Sequence, residues 1–378
     1  MHDAARAASH HSAAGEEDAA AIRFVEAARQ AAEQGASGRA SAHARRALAL
    51  LDALPRTPAR QVLRAQALVE VARTEWRSIG AEGPVRLDDA LATAVAAKAA
   101  LPEEAPAHLH AEASLLIAGI GHDRGDLRAL EEALAELTDA SRRLLAAGDA
   151  LAAAALLNDQ AAIYLRLGDP VRATHLLMRS REVFEGRARD DVGARRELAE
   201  THHLLARLPL RARLRAGREG DAMTMALDHA LIAERTYREL GMRLELARVW
   251  ETMGRLELRK GRGERAAERL SAALSLQREL GDVDGLARTT ASFADLLATR
   301  GEIREALGLL GSSITLNREK GSPIGLAFNR RALEALAPLV GPEGRALVGQ
   351  IERELSAGEE LLGRRPLPPG LAGLAGGG

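Results

Sequence analysis

The sequence predicts an all-α protein assembled from repeated helical hairpins. Three observations lead to this fold class: an internal period of forty residues, a composition dominated by strong helix formers, and no stretch with the strict two-residue alternation typical of strands. The period is clearest in RELGDVDGLARTTASFADLLATRGEIREALGLL (residues 278–310), which resembles the segments that begin forty residues before and after it. Small residues recur in register at this interval, as Ala247, Ala287 and Ala327, as Gly261, Gly301 and Gly341, and as Ala266, Ala306 and Ala346. This short period overrides the division into two or three globular domains that 378 residues would otherwise suggest.

Within one unit, residues 282–320, the pattern predicts two helices joined by a turn. Asp282 is a suitable N-cap for the first helix, and Gly301 can adopt the positive φ that ends it. Apolar stripes at helical spacing follow, formed in the first helix by Leu286, Thr289, Thr290, Phe293, Leu296 and Leu297, and in the second by Ile303, Ala306, Leu307, Leu310 and Ile314. Because neither helix can bury its stripe alone, further pairs must stack to complete the core.

The pattern resembles the tetratricopeptide repeat (TPR), in its long variant of about forty residues per unit. In residues 247–276 the resemblance rests on Trp250 in the first helix and on Gly254, the small residue four positions later. The turn glycine is Gly261, and the small residues where the helices cross are Ala266 and Ala273. Other units supply the same features, as Ala161, Tyr164, Gly168, Asp169 and Ala173, and as Gly35, Ala40 and Ala47.

The resemblance implies a right-handed superhelical α-solenoid of about eight TPR-like hairpins over residues 17–362. We predict that residues 1–16 are a disordered N-terminal tail and that residues 363–378, rich in proline and glycine, are a disordered C-terminal tail. The fifth unit departs from the pattern, since Ala206 and Ala226 lie eight residues further apart than expected. Its extra segment, residues 207–219, contains five arginines.

Composition excludes several classes of function. The 52 basic and 53 acidic residues nearly cancel, so no global field favours nucleic acid or an anionic membrane. The chain has no cysteine, no apolar stretch long enough to span a membrane, and no apolar segment of a secretory signal near its start. We therefore expect a cytoplasmic protein, and the bias toward alanine, arginine and leucine is typical of a bacterial genome rich in GC.

No catalytic, cofactor or metal site is predicted. None of the three lysines follows a glycine, which excludes the phosphate-binding P-loop. His202 and His203 are adjacent and point about 100° apart around a helix, so they do not form a metal pair on one face. Paired acids such as Glu131 and Glu132 diverge in the same way, which argues against a catalytic pair of carboxylates. The chain is therefore expected not to be an enzyme.

The resemblance also implies a concave groove, lined by first helices, that receives a protein segment or peptide. The groove-facing offsets of the family fall on Asn158, His203, Arg207, Arg248, Glu251, Arg255, Arg288, Ser292, Asp295 and Arg331. An arginine-rich groove would suit acidic partners, because guanidinium binds carboxylate through two parallel hydrogen bonds. The alternative for each residue is an ordinary solvated helix face.

Two functions remain open from the sequence. The first is a non-enzymatic scaffold or adaptor that binds a protein or peptide along its groove. The second is a sensory or regulatory TPR module of a bacterial signalling or transcription system, which binds a small effector or signalling peptide and acts in trans. The arginines of residues 207–219 could contact an acidic partner or a nucleic-acid backbone, or could form a solvated charged helix face; no interleaved aromatic residue is present to stack bases. The sequence names no partner.

Overall fold

The structure, a computed structural model, describes residues 3–77, 87–211 and 219–364. Within these ranges the chain forms seventeen α-helices and three short 3₁₀-helices, and no β-strand. The α-helices are α1 (Asp3–Ala13), α2 (Glu17–Glu33), α3 (Ser37–Asp52), α4 (Pro58–Arg77), α5 (Leu87–Ala100), α6 (Ala107–Asp123), α7 (Arg128–Ala146), α8 (Ala150–Leu167), α9 (Pro170–Glu185), α10 (Val192–Arg207), α11 (Glu219–Glu239), α12 (Arg243–Arg259), α13 (Gly263–Leu280), α14 (Val283–Thr299), α15 (Ile303–Lys320), α16 (Pro323–Leu336) and α17 (Arg345–Leu362). The 3₁₀-helices are Leu208–Leu210, Ala337–Leu339 and Pro342–Gly344.

The helices from α2 to α17 pack as eight consecutive hairpins, from α2 with α3 to α16 with α17. Each hairpin also packs against the next one, because the second helix of one unit contacts the first helix of the following unit. The core is correspondingly divided into a series of apolar clusters along the array. This confirms the predicted all-α solenoid of eight TPR-like hairpins.

Local sequence sets the ends of the helices as predicted. The Asp282 carboxylate accepts a hydrogen bond of 3.1 Å from the backbone N–H of Gly285 and so caps α14. Just before it, Gly281 ends α13 with a φ of +66°, a conformation that a side chain would strain. The turn glycines Gly261 and Gly301 also have positive φ.

The crossing of α12 and α13 shows why small residues are needed within a hairpin. Ala266, Leu270 and Ala273 are fully buried in α13. A Cβ added at Gly254 of α12 would lie only 2.6 Å from Leu270 Cγ. The glycine therefore allows the two helices to approach closely enough for Leu270 to fill the space between them.

The solenoid closes on itself after five hairpins. Helix α16 of the eighth hairpin contacts α6 of the third. Likewise, the turn of the first hairpin contacts the end of the sixth, since a Cβ at Gly35 would come within 2.6 Å of Leu280 Cδ2. In both cases the partners are five hairpins apart, so the array turns back on itself over this distance and its concave face surrounds a central channel.

The structure describes most of the predicted N-terminal tail and only the first two residues of the predicted C-terminal tail. Residues 3–13 form helix α1, which packs on α2 and buries Ala8, so the predicted disordered N-terminal tail is not observed there. Its alanine-rich composition is compatible with a helix, and α2 offers it an apolar face. Of the predicted C-terminal tail, all but Gly363 and Arg364 lies outside the described residues, as do residues 212–218 of the arginine-rich segment.

The eighth unit also differs from its predicted register. Ala346, expected at a helix crossing, is exposed in the first turn of α17. Pro338 and Pro342 explain the difference, because each lies in a 3₁₀-helix that lengthens the connection after α16. None of the described helices combines the length and the apolar character that crossing a membrane requires.

Candidate binding groove

The first helices of the hairpins line the concave side of the array. Successive first helices contact one another from α2 through to α16. Since the inner arc of a curved stack is the shorter one, helices that approach in this way occupy the concave face. The groove is therefore built from even-numbered helices, as the resemblance to TPR proteins implies.

One part of the groove is lined by arginines. We define the arginine cluster as Arg166 on α8, Arg207 at the end of α10, Arg211 just after it, Arg248 and Arg255 on α12, and Arg288 on α14. Five of these side chains are half-buried, and Arg288 is exposed. Together they present guanidinium groups from four neighbouring hairpins to the interior of the channel.

A single buried carboxylate lies within this cluster. Glu251 accepts hydrogen bonds from the Arg288 guanidinium at 3.2 and 3.4 Å and lies 3.9 Å from that of Arg255. Burial alone would raise the pKa of Glu251, but Arg288 and Arg255 hold it below its ordinary value. Glu251 therefore remains an anion that organises two arginines rather than a free acceptor for a ligand.

The other arginines of the cluster have no such partner. Among the described residues, no carboxylate forms an ion pair with Arg166, Arg207, Arg211 or Arg248. Burial, reinforced by Arg255 and Arg207, lowers the pKa of Arg211 to about 9, and burial together with Arg288 and Arg166 lowers that of Arg207 to about 10. Both guanidiniums remain charged at neutral pH, because Glu200 and Glu251 act in the opposite direction on Arg207, and Glu251 on Arg211, without fully offsetting the lowering.

An acidic region lies in the same groove, toward the start of α8 and α10. Burial, with Glu197, Glu200 and Glu112 nearby, raises the pKa of Asp159 to about 8. Glu200 behaves differently: despite its burial, hydrogen bonding to His203 and Tyr237 lowers its pKa to about 2. Asp159 is therefore mostly protonated at neutral pH, and Glu112 and Glu197 form ion pairs with Arg73 and Arg196. The acidic region and the arginine cluster follow each other along the same helices, with Asp159 before Arg166 and Glu200 before Arg207.

A buried ion network joins the arginine cluster to the place where the array closes. The Lys320 ammonium donates to Asp123 at 2.6 Å and to Asp284 at 2.5 Å. Asp284 also accepts from Arg288, and the indole N–H of Trp76 donates to Asp123 at 2.7 Å. The network thus links the second and third hairpins to the seventh, and it includes one of the groove arginines.

Three of the residues predicted to line the groove are instead buried between helices. Asn158 is 2% exposed; its amide donates to the Glu197 carbonyl at 3.1 Å and its oxygen accepts from the Ser180 and Thr201 hydroxyls. His203 is hydrogen-bonded to Thr252 at 3.0 Å, and the Ser292 hydroxyl donates to its own helix at the Arg288 carbonyl. Asn158 and His203 thus bond to the adjacent hairpin and Ser292 to its own helix, so we exclude all three from the proposed contact surface.

The remaining predicted residues have different surroundings. Arg207, Arg248, Arg255 and Arg288 lie in the arginine cluster, with Glu251 buried among them. Asp295 is exposed on α14. Partial loss of solvation raises the pKa of its carboxyl, and Arg255 and Arg259 act in the opposite direction. Arg331 is half-buried on α16.

Several charged residues in or near the groove were not predicted, although the spacing and the repeat register of the sequence point to them. Asp159 and Arg166 are seven residues apart on α8, and Glu200 and Arg207 are seven apart on α10, so each pair follows one helix face. Lys320 occupies the position held by Leu240 and Leu280 in the two preceding units. A lysine at a repeat position otherwise occupied by leucine indicates a specific buried partner.

No protein-family model and no curated protein matches the sequence. Among solved structures, the chain is similar to a Rap protein complexed with Competence and Sporulation Factor, with a TM-score of 0.59 and 12% identity over 90% of this chain and 89% of that one. Weaker similarity extends to aspartyl phosphate phosphatase F from Bacillus subtilis, with a TM-score of 0.47 and 12% identity over 90% of this chain and 82% of that one. The similarity to the Rap protein shows a shared TPR-type repeat fold.

Proposed function

We propose that this chain is a non-enzymatic TPR scaffold that binds an extended segment of a partner protein, or a peptide, in its concave groove. The arginine cluster is the observation that carries this proposal. Its guanidiniums, five of them on half-buried side chains, line the channel, and four have no ion-pair partner within the described ranges. Such an arrangement is electrostatically unfavourable in the free protein and becomes favourable when an acidic segment occupies the groove.

The comparison with the Rap protein supports the same function. That protein was crystallised with a bound factor and shares this fold over nearly its whole length. As part of the proposal, we place the chain among long-repeat TPR arrays of bacterial type that act in the cytoplasm.

A second candidate function is a sensory array that changes shape when a small effector or signalling peptide binds, and so regulates another protein in trans. The ion network from Arg288 through Asp284 to Lys320 favours it. A ligand that contacts Arg288 would alter the ion network that joins the third hairpin to the seventh. Ligand-dependent compaction or expansion in small-angle scattering would distinguish this sensor from a rigid scaffold.

Peptide selection followed by charge reversal tests the proposed function. Peptides would be selected from a displayed library on the wild-type protein, and their affinities measured by fluorescence anisotropy. The variant Arg248→Glu/Arg255→Glu/Arg288→Glu should weaken binding of recovered acidic peptides at least tenfold, by about 1.4 kcal/mol or more. Because Arg255 and Arg288 also hold Glu251, affinities are compared at a temperature at which circular dichroism shows the wild-type helicity for each variant.

A matched control carries three charge reversals away from the groove. Arg142, Arg179 and Arg304 are exposed on the second helices α7, α9 and α15. Reversal of all three should leave the peptide affinity unchanged if the groove is the binding surface. Equal loss in both triple variants would mean that general charge steering, not the groove, is responsible, and recovery of no peptide would reject peptide binding.

A further inference from the structure

The arginine cluster has a geometry suited to one multiply charged group. Arg207 is the last residue of α10, and Arg211 follows the short 3₁₀-helix after it. Arg248 lies on α12, which packs against α10. Arg166 approaches from α8, with its guanidinium carbon 5.9 Å from the centre of the Trp76 ring. Arg166 lies close enough to Arg248 and Arg207, and Arg207 to Arg211, for their charges to act on one another. Side chains from three successive first helices and the turn after one of them therefore meet in the same part of the channel.

The charges in this part of the channel do not balance. Glu251 is held between Arg288 and Arg255, and Asp284 is shared between Arg288 and Lys320. Neither carboxylate contacts Arg166, Arg207, Arg211 or Arg248 within the described ranges. Glu200 acts on Arg207 and Arg248, and Asp123 acts on Arg166, but neither forms an ion pair with them. Even with these two carboxylates included, the six arginines of the cluster and Lys320 outnumber the acids around them, and the pKa values of Arg207 and Arg211 are lowered by burial and by other arginines.

The size of this surplus distinguishes between candidate anions. A carboxylate offers one negative charge and two oxygens, which a single guanidinium can satisfy through two hydrogen bonds. A phosphoryl group carries between about one and a half and two negative charges near neutral pH, and its three oxygens can accept from several guanidiniums at once. Four unpaired arginines from three helices match the second group better than the first.

We propose that Arg166, Arg207, Arg211 and Arg248 form a subsite for a phosphoryl group carried by the ligand of this groove. The inference rests on the proposed function, which it deepens by assigning the chemistry of one ligand group. The phosphoryl group could belong to a phosphorylated side chain of the bound protein segment or to a free phosphate-bearing small molecule.

The first test uses small probes and does not depend on any peptide. Phenyl phosphate and phenylacetate share an aromatic ring but differ in the charge and oxygens of their anionic group. At matched ionic strength, phenyl phosphate should raise the melting temperature in a saturable manner and bind at least tenfold more tightly than phenylacetate in calorimetry. The variant Arg207→Gln/Arg248→Gln should lose this preference, whereas Arg142→Gln/Arg179→Gln should retain it.

The melting temperature of Arg207→Gln/Arg248→Gln without ligand shows whether this variant still folds. Arg207 and Arg248 form no ion pair with the described residues, so their replacement by glutamine should leave the melting temperature without ligand unchanged or higher. Equal binding of the two probes, or a preference for phenyl phosphate that survives Arg207→Gln/Arg248→Gln, would overturn the subsite.

Two further probes separate the sources of the phosphoryl group. A recovered groove peptide with one serine phosphorylated should bind more tightly than its unmodified form if the group belongs to a protein segment, whereas ATP should compete with phenyl phosphate if it belongs to a small molecule. Peptide binding without any phosphoryl preference would reject the subsite and leave the proposed function standing. Phenyl phosphate binding without any peptide binding would support the subsite and reject the proposed function.

Discussion

The Lys320 ammonium lies 2.6 Å from the carboxylate of Asp123, although 197 positions separate the two residues in sequence. Nearby, the Ser322 hydroxyl donates to the Asp123 backbone carbonyl at 3.2 Å. The first contact joins the end of α6 in the third hairpin to the last residue of α15 in the seventh, and the second joins it to the N-cap residue of α16 in the eighth. The width of the groove therefore depends on a few polar contacts at this closure as well as on the packing of adjacent hairpins.

Replacement of Lys320 tests this closure. The Lys320 side chain is 5% exposed, and Lys320→Met would leave the carboxylates of Asp123 and Asp284 without their common partner. Removal of one member of a buried ion pair costs about 3–5 kcal/mol, so we expect a loss of that size in the free energy of unfolding from urea denaturation. Small-angle scattering should also show a larger radius of gyration.

Lys260→Met is the matched control for this prediction. Lys260 is half-buried at the end of α12 and donates to the Gly220 carbonyl and the Thr224 hydroxyl without contacting a carboxylate of the described chain. Its replacement should change the free energy of unfolding by no more than about 0.5 kcal/mol. Equal stability losses in the two variants would show that the Lys320 network does not hold the array closed.

Truncation of Leu270 tests the packing within a hairpin. The side chain is fully buried in α13 against α12, so Leu270→Ala should leave a cavity and cost about 2–5 kcal/mol in chemical denaturation. Leu361→Ala, at a position 72% exposed on α17, should change stability by less than about 0.5 kcal/mol. A loss at Leu270 as small as that at Leu361 would contradict the helix register of α13.

Two glycines within helices should respond to alanine in opposite directions. At Gly254 the new Cβ would lie 2.6 Å from Leu270 Cγ, and we expect Gly254→Ala to cost about 1–3 kcal/mol through overpacking. No atom lies within 4 Å of a Cβ added at Gly308 in α15, so Gly308→Ala should stabilise the protein by about 0.5–1 kcal/mol. Thermal and urea denaturation of both variants would check the signs, and effects of the same sign would contradict the assigned crossing of α12 and α13.

The structure at these positions shows which parts of the fold were predictable from sequence. Gly254, Ala266 and Ala273 were assigned correctly because packing within a hairpin depends on residues close in sequence. Asn158 and His203 were placed in the groove because their offsets match the family, yet in this array they form hydrogen bonds between hairpins. Which face of a first helix is open depends on the angle between successive hairpins, and the period of the repeat does not specify that angle.

The closure was not predictable for the same reason. Small rotations between hairpins accumulate along the array, so the contact of Lys320 with Asp123 depends on all the intervening units. The sequence carried only an indirect signal, a lysine where the two preceding units have leucine. The acidic region around Asp159 was missed because only Asn158 was assigned to the groove in that unit.

The carboxyl of Asp159 provides a test of the acidic region through pH. Burial and the neighbouring Glu197, Glu200 and Glu112 raise its pKa from an ordinary value of 3.8 to about 8 in the folded protein. Between these two values the folded state holds a proton that the unfolded state has released, so this group's contribution to stability is lost as pH rises through the interval.

The variant Asp159→Asn has no ionisable group at this position and should not show that loss. The difference in free energy of unfolding between Asp159→Asn and wild type, measured in urea at several pH values between about 4 and 8, should therefore shift steadily in favour of the variant as pH rises. Parallel stability curves over this range would mean that the carboxyl ionises normally in the groove and that the acidic region carries no excess of charge.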